Sequence, residues 1–139
     1  MNISVILPAF NEELNIKIAI GSIISYLREK RLDDWEIIVI DDGSTDNTLE
    51  EIEKIINVQK NVSLKKHKLN MGYGKALQTG IKSVKFDWIF ITDSDLQFFI
   101  HDLDKFIPLT NSHNFIQGIR AKRSDPFHRI ILGNIYKSI

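Results

Sequence analysis

The sequence predicts an α/β domain built on a mainly parallel sheet covered by helices, and three observations carry that expectation. Short apolar runs rich in β-branched residues alternate with segments of helical period, the pattern of strand-helix-strand units. With 139 residues, 43% of them hydrophobic, the chain suits one domain of ordinary size with a real core. The unusual polar clusters all follow apolar runs, and an open parallel sheet binds ligands beyond the carboxyl ends of its strands. A single domain over residues 1–139 is expected, with no internal repeat, low-complexity tract or linker.

The elements follow in chain order. Ile3 to Leu7 reads as the first strand. Glu13 to Lys30 reads as a helix, with Ile20, Ile23, Ile24 and Leu27 spaced to share one buried face. Trp35 to Ile40 is the second strand, and Thr48 to Gln59 a helix with Leu49, Ile52 and Ile56 inward and Asp46 placed to cap its first turn. Val62 to His67 alternates with polar residues and is expected near a sheet edge. A helix is predicted from about Tyr73 to Val84, where Ala76 and Gly80 permit close approach to the sheet. Trp88 to Thr92 reads as a buried strand, His101 to Leu109 as a helix, Phe115 to Ile119 as a fifth strand, and Pro126 onward as an amphipathic helix.

Composition excludes several classes of function. Eighteen basic and eighteen acidic side chains cancel, whereas a general nucleic-acid binder carries a basic excess, so no nucleic-acid partner is expected. The local excess lies after Gln117, where Arg120, Lys122, Arg123, Arg129 and Lys137 face only Asp125; it is either a solvated helix face or a surface for phosphate or anionic lipid. Without cysteine there is no disulfide framework. His67, His101, His113 and His128 lack the close pairing of a zinc motif and are expected to be structural or exposed. No apolar run approaches the ~18–20 residues that cross a bilayer, and the expectation is a soluble, cytoplasmic chain able to work at the cytoplasmic face of a membrane.

Three clusters carry chemistry. Asp93-Ser94-Asp95 puts two carboxylates at i, i+2 just beyond a strand, where they could hold a hard divalent cation against a diphosphate or merely form a turn. Asp41-Asp42-Gly43-Ser44 is a good turn, but a turn has no use for its second, mutually repelling carboxylate, which could accept hydrogen bonds from the imide or amino edge of a nucleobase. Asn70-Met71-Gly72-Tyr73-Gly74 is a loose version of a phosphate-cradling loop, and its glycines equally well let the chain turn tightly into a helix.

Together, Val5-Ile6-Leu7-Pro8-Ala9-Phe10-Asn11-Glu12-Glu13, Asp41-Asp42-Gly43-Ser44-Thr45-Asp46, Gly72-Tyr73-Gly74-Lys75-Ala76 and Asp93-Ser94-Asp95-Leu96-Gln97, in this order and spacing, resemble the family 2 glycosyltransferases with the GT-A fold. The stretch Gly118 to Pro126, with Arg129, is similar to the branch that includes dolichyl-phosphate mannose synthase, whose members move a sugar from a nucleotide to a polyprenyl phosphate. The resemblance implies a three-layer, Rossmann-like nucleotide-sugar-binding domain, short at its C-terminus because the family's later acidic acceptor-site motif is absent. It implies that Pro8, Phe10 (where the family has Tyr) and Glu12 line the nucleotide pocket and that Ile40 and Asp42 meet base and ribose. It further implies that Asp93, Asp95 and Gln97 surround Mg²⁺ or Mn²⁺ and the diphosphate, and that Arg120 and Arg129 hold phosphate oxygens. Asp93, Asp95 and Arg129 are the implied catalytic residues. The implied partners are a GDP- or UDP-sugar donor and a polyprenyl-phosphate or glycan acceptor, with membrane association or pairing with a missing C-terminal segment.

Inverting transfer to a lipid phosphate needs no proton removed, because the acceptor is already an anion. A hydroxyl acceptor needs a general base, and beyond the Asp93 motif the sequence offers only Asp102, Asp104 and Asp125. The other reading is a nucleotide-diphosphate-binding module without transferase activity.

Overall fold

The computed structural model describes residues 1–32 and 34–118. Seven regular elements form the first of two compact units, Met1–Leu103: β1 (Asn2–Ala9), α1 (Ile16–Glu29), β2 (Asp34–Asp41), α2 (Thr48–Ile56), β3 (Val62–Lys66), α3 (Tyr73–Ile81) and β4 (Trp88–Ile91). The four strands are parallel, in the order β3-β2-β1-β4. From β1 the chain steps one way to β2 and β3, then returns past them to β4. Since such crossovers are right-handed, α1 and α2 fall on one face and α3 on the other.

The three-layer architecture accounts for the side-chain pattern. Successive strand residues face opposite sides, so Ile6, Ile38 and Ile40 pack with Ala76 beneath α3, while Ile3, Val5, Leu7, Ile37 and Val39 are buried on the other face. That second face is covered by α2, which packs on β2 and β3, and by α1, which packs against α2 and buries Ile16, Ile20, Ile23, Ile24 and Leu27. Gly80 brings α3 close: a Cβ there would stand 2.5 Å from Ile6 Cγ2. At the amino end of the sheet, buried Glu36 accepts from Ser4 Oγ at 2.7 Å and from the Lys85 amide at 2.6 Å, tying the α3–β4 connection to β1 and β2.

Four expectations are corrected. Among the described residues the apolar run Trp88–Ile91 is paired on one side only, with Ile89 and Ile91 more than a third exposed, because apolar composition alone does not say whether a strand has one neighbour or two. Phe115 to Gly118 form no strand, and Ile119 lies outside the described residues. The helix expected over His101–Leu109 is two 3-10 segments, Ile100–Lys105 and Ile107–Asn111. Pro108 cannot donate a backbone hydrogen bond and restricts the residue before it, so a continuous α-helix is broken there. The first helix begins at Ile16 rather than Glu13, since residues 11 to 13 are held by a neighbouring loop. The helix expected from Pro126 lies outside the described residues.

Candidate functional site

The sheet's direction of progression reverses between β1 and β4, and the crevice beyond the carboxyl ends of the strands at such a point is the usual ligand site of open α/β folds. A cleft of about 600 Å³ opens there, lined by Pro8, Phe10, Glu12, Asp42, Tyr73, Asp93 and Asp95 among others. Ser94 closes its floor: buried, it donates from Oγ to the Pro8 carbonyl at 3.0 Å, so its two flanking carboxylates are pinned to the end of β1. Leu96 follows in the left-handed region at φ 59, and the Gln97 amide donates to Asp95 Oδ1 at 3.0 Å.

The loops after β1 and β2 are stitched to each other. Asn11 donates from its amide to Ser44 Oγ at 3.0 Å and accepts the Thr45 amide on its side chain at 2.8 Å. The Glu12 amide donates to Thr48 Oγ1 at 2.7 Å, and the Glu13 amide to Asp46 Oδ2 at 3.2 Å. Asp46 also accepts the Thr48 amide at 3.0 Å, but the N-cap position of α2 is Asn47, without a side-chain cap, so Asp46 supports the helix start from one residue before the expected cap. Burial would raise the Asp46 carboxyl, but the hydrogen bonds from Thr48 and Glu13 outweigh it and hold it below the ordinary value. Gly43, at φ 72, lets this loop meet the next one; a Cβ would lie 2.5 Å from the Leu69 carbonyl carbon.

Asp42 occupies the centre. Its Oδ1 lies 2.6 Å from His67 Nδ1 and accepts the Met71 amide at 3.0 Å; its Oδ2 accepts the Gly72 amide at 2.8 Å. Burial pushes the carboxyl up, yet the His67 hydrogen bond, the two amides and the attraction of His67 together bring it below the usual carboxylate value. Asp42 is therefore ionised in any neutral solution. Its neighbour Asp41 is fully buried, accepts the Ser44 amide on Oδ1 at 3.1 Å and has no partner for Oδ2 among the described residues. The hydroxyl of Tyr73, which also lines the cleft, is hydrogen-bonded to Asp93; burial and that carboxylate's charge push the phenol up, so Tyr73 is the donor.

Of the residues expected in the site, Pro8, Phe10, Glu12, Asp42, Asp93 and Asp95 come together around the cleft. Ile40 does not: it is fully buried in the apolar cluster beneath α3, because residues of its parity in β2 face that helix. The Gln97 side chain is exposed and not among the cleft residues, its backbone supporting Asp95 instead. Arg120 and Arg129 lie outside the described residues. His67 and Tyr73 were given no role in the site by the sequence; His67 was expected to be structural or exposed, and Tyr73 stood inside the glycine-containing loop motif without a part of its own.

The donor set suits a hard cation held jointly with a ligand. Among the described residues no three His, Asp or Glu side chains converge as a self-sufficient metal site, which leaves Asp93 and Asp95 as two oxygen donors on one lip. Mg²⁺ and ions like it are commonly bound in this way, by one or two carboxylates with substrate phosphates and water completing the shell.

The chain is similar to several known proteins. The chain is 32% identical over 110 residues to the dolichyl-phosphate beta-glucosyltransferase of Saccharomyces cerevisiae, a match covering 76% of this chain and 33% of the relative. The structure of S. aureus TarS in complex with UDP-GlcNAc superposes with a TM-score of 0.66 at 25% identity, covering 91% of this chain and 37% of that one. A mannosyltransferase from Pyrobaculum calidifontis, in complex with GDP-Man and Mn²⁺, gives a TM-score of 0.58 at 27% identity, covering 67% of this chain and 27% of that one. This chain thus spans about a third of the length of these relatives. The family model for glycosyl transferase family 2 matches residues 4–137, nearly the whole sequence, and the chain belongs to that family.

Proposed function

We propose that this domain binds a nucleoside-diphosphate sugar in the cleft and, in its whole protein, transfers the sugar with inversion to a polyprenyl phosphate. The observation that carries the reading is the convergence of Pro8, Phe10, Glu12, Asp42, Asp93 and Asp95, brought from three separate loops to one cleft. Structures similar to this chain hold UDP-GlcNAc in one case and GDP-Man with Mn²⁺ in another, which supports a nucleotide-sugar donor. Similarity to dolichyl-phosphate beta-glucosyltransferases supports a lipid-phosphate acceptor.

Breaking the bond between a sugar and a diphosphate leaves negative charge on the departing oxygens. Asp93 and Asp95 would hold Mg²⁺ or Mn²⁺, which when bound stabilises that charge as a Lewis acid. Asp42 anchors the far end of the nucleotide by accepting hydrogen bonds, and Tyr73 orients Asp93. Arg120 and Arg129 would supply the planar, multi-donor contacts suited to phosphate oxygens. Asp102, a carboxylate that could have served a hydroxyl acceptor as base, is not among the cleft residues, and a phosphate acceptor needs none.

The test is release of nucleoside diphosphate from UDP- and GDP-sugars with Mn²⁺ and a short polyprenyl phosphate. Asp95→Ala should abolish metal-dependent nucleotide binding and leave the circular dichroism spectrum unchanged; unaltered affinity removes the metal assignment. Nucleotide binding without diphosphate release from any donor would favour the alternative, a binding module that does not itself transfer sugar.

A further inference from the structure

The Asp42 carboxylate is constrained by a side chain that does not line the cleft. His67, just beyond β3, places Nδ1 2.6 Å from Asp42 Oδ1. An ionised carboxylate has no proton to give, so Nδ1 carries the hydrogen and donates. The other ring nitrogen, Nε2, lies 2.8 Å from the Thr79 hydroxyl on α3, so the ring is held at both ends. The His67 and Asp42 side chains are only 10% and 5% exposed, so water competes little for these bonds. A carboxylate offers about four acceptor positions. His67 and the Met71 amide take both positions on Oδ1, and the Gly72 amide takes one on Oδ2. One acceptor remains on a residue that lines the cleft.

We infer that His67 is a positioning residue for base recognition: it holds Asp42 so that a single acceptor is left for the ligand, which selects uracil over guanine, cytosine and adenine. The inference rests on the nucleotide reading above and deepens it by naming the base. Uracil presents one N3–H between two carbonyls and matches a lone acceptor. Guanine presents N1–H and N2–H side by side and calls for both carboxylate oxygens, one of which is filled. Cytosine and adenine place an unprotonated ring nitrogen beside their amino group, where a fixed carboxylate repels it. A site with a buried hydrogen-bonding group rejects ligands that leave the group unpaired.

Titration calorimetry on the full chain with Mn²⁺ tests this, using UDP, GDP and inorganic diphosphate. The wild type should bind UDP at least about tenfold more tightly than GDP, the size of one well-made hydrogen bond to a charged group. His67→Leu should weaken UDP by about tenfold while changing inorganic diphosphate by less than about twofold, and so narrow the UDP to GDP ratio. His67→Asn, which offers an amide nitrogen in place of Nδ1, should restore UDP to within about threefold of wild type. Thr79→Val is a milder second variant: it removes the hydroxyl that holds the far end of the ring and should lower the same ratio with diphosphate affinity retained. Retained diphosphate binding also shows that each variant is folded. Equal losses of UDP and diphosphate in both His67→Leu and Thr79→Val, unchanged UDP affinity in His67→Leu, or GDP binding the wild type as tightly as UDP would overturn the inference. A wild type that binds neither nucleotide nor diphosphate overturns the nucleotide reading itself. One that binds them without base preference overturns only the role given to His67.

Discussion

A single side chain shows how closely site and stability are joined. Asp42 is buried with three hydrogen bonds, and its carboxyl is held below the ordinary value of 3.8. A depressed folded-state value means stability that is fully present above the unfolded value and is lost as pH falls through the folded one. The urea midpoint of the wild type should therefore drop more steeply between about pH 5 and about pH 3 than that of Asp42→Asn, which cannot titrate. Asp46, also depressed, leaves a residual slope in the variant. Parallel curves for the two proteins would mean that the Asp42 bonds contribute nothing net. At this scale the sequence was partly legible. The second carboxylate of Asp41-Asp42 marked a position with more than a turn to make, but nothing local paired it with His67, which is 25 residues away. Ile40 was misread for a related reason: adjacency to Asp42 in the chain does not put a strand residue's side chain on the same side of the sheet.

The elements differ in how much room their packing leaves. Gly21 and Gly80 are both helical, yet a Cβ at Gly21 meets nothing within 4 Å, whereas at Gly80 it would lie 2.5 Å from Ile6 Cγ2 and 3.1 Å from Ile40 Cδ1. Gly21→Ala should stabilise the chain by about 1 kcal/mol through helix propensity. Gly80→Ala should cost about 1–3 kcal/mol by overpacking the face under α3. Urea unfolding of the two variants checks both signs, and a stabilised Gly80→Ala would show that α3 can lift without penalty. Helix periodicity and the small residues Ala76 and Gly80 make α3 legible in the sequence. The broken segment between Ile100 and Asn111 was less so, because apolar spacing pointed to a helix while Pro108 opposed it, and the proline prevailed.

In the Met1–Leu103 unit as a whole, the site belongs to the topology. Its residues come from the loops after β1, β2, β3 and β4, so a ligand that touches them all binds only the folded chain. UDP with Mn²⁺ at about 100 times its dissociation constant should add about 2.7 kcal/mol by mass action, read as a rise in melting temperature. Mn²⁺ alone should add much less, since among the described residues no three acidic or histidine side chains form a metal site of their own. An equal rise with Mn²⁺ alone would indicate a complete protein metal site instead. The amino-acid sequence by itself determined the alternation of strands and helices, the parallel sheet and the order of the polar clusters, because these follow from side-chain period and from turn chemistry within a few residues. Only the tertiary structure decided that β4 is paired on one side among the described residues, that Ile40 belongs to the core, and that Asp42 is held by His67. Strand order and side-chain pairing are set by contacts between residues far apart along the chain, and no local pattern encodes which distant partner fills a given hydrogen bond.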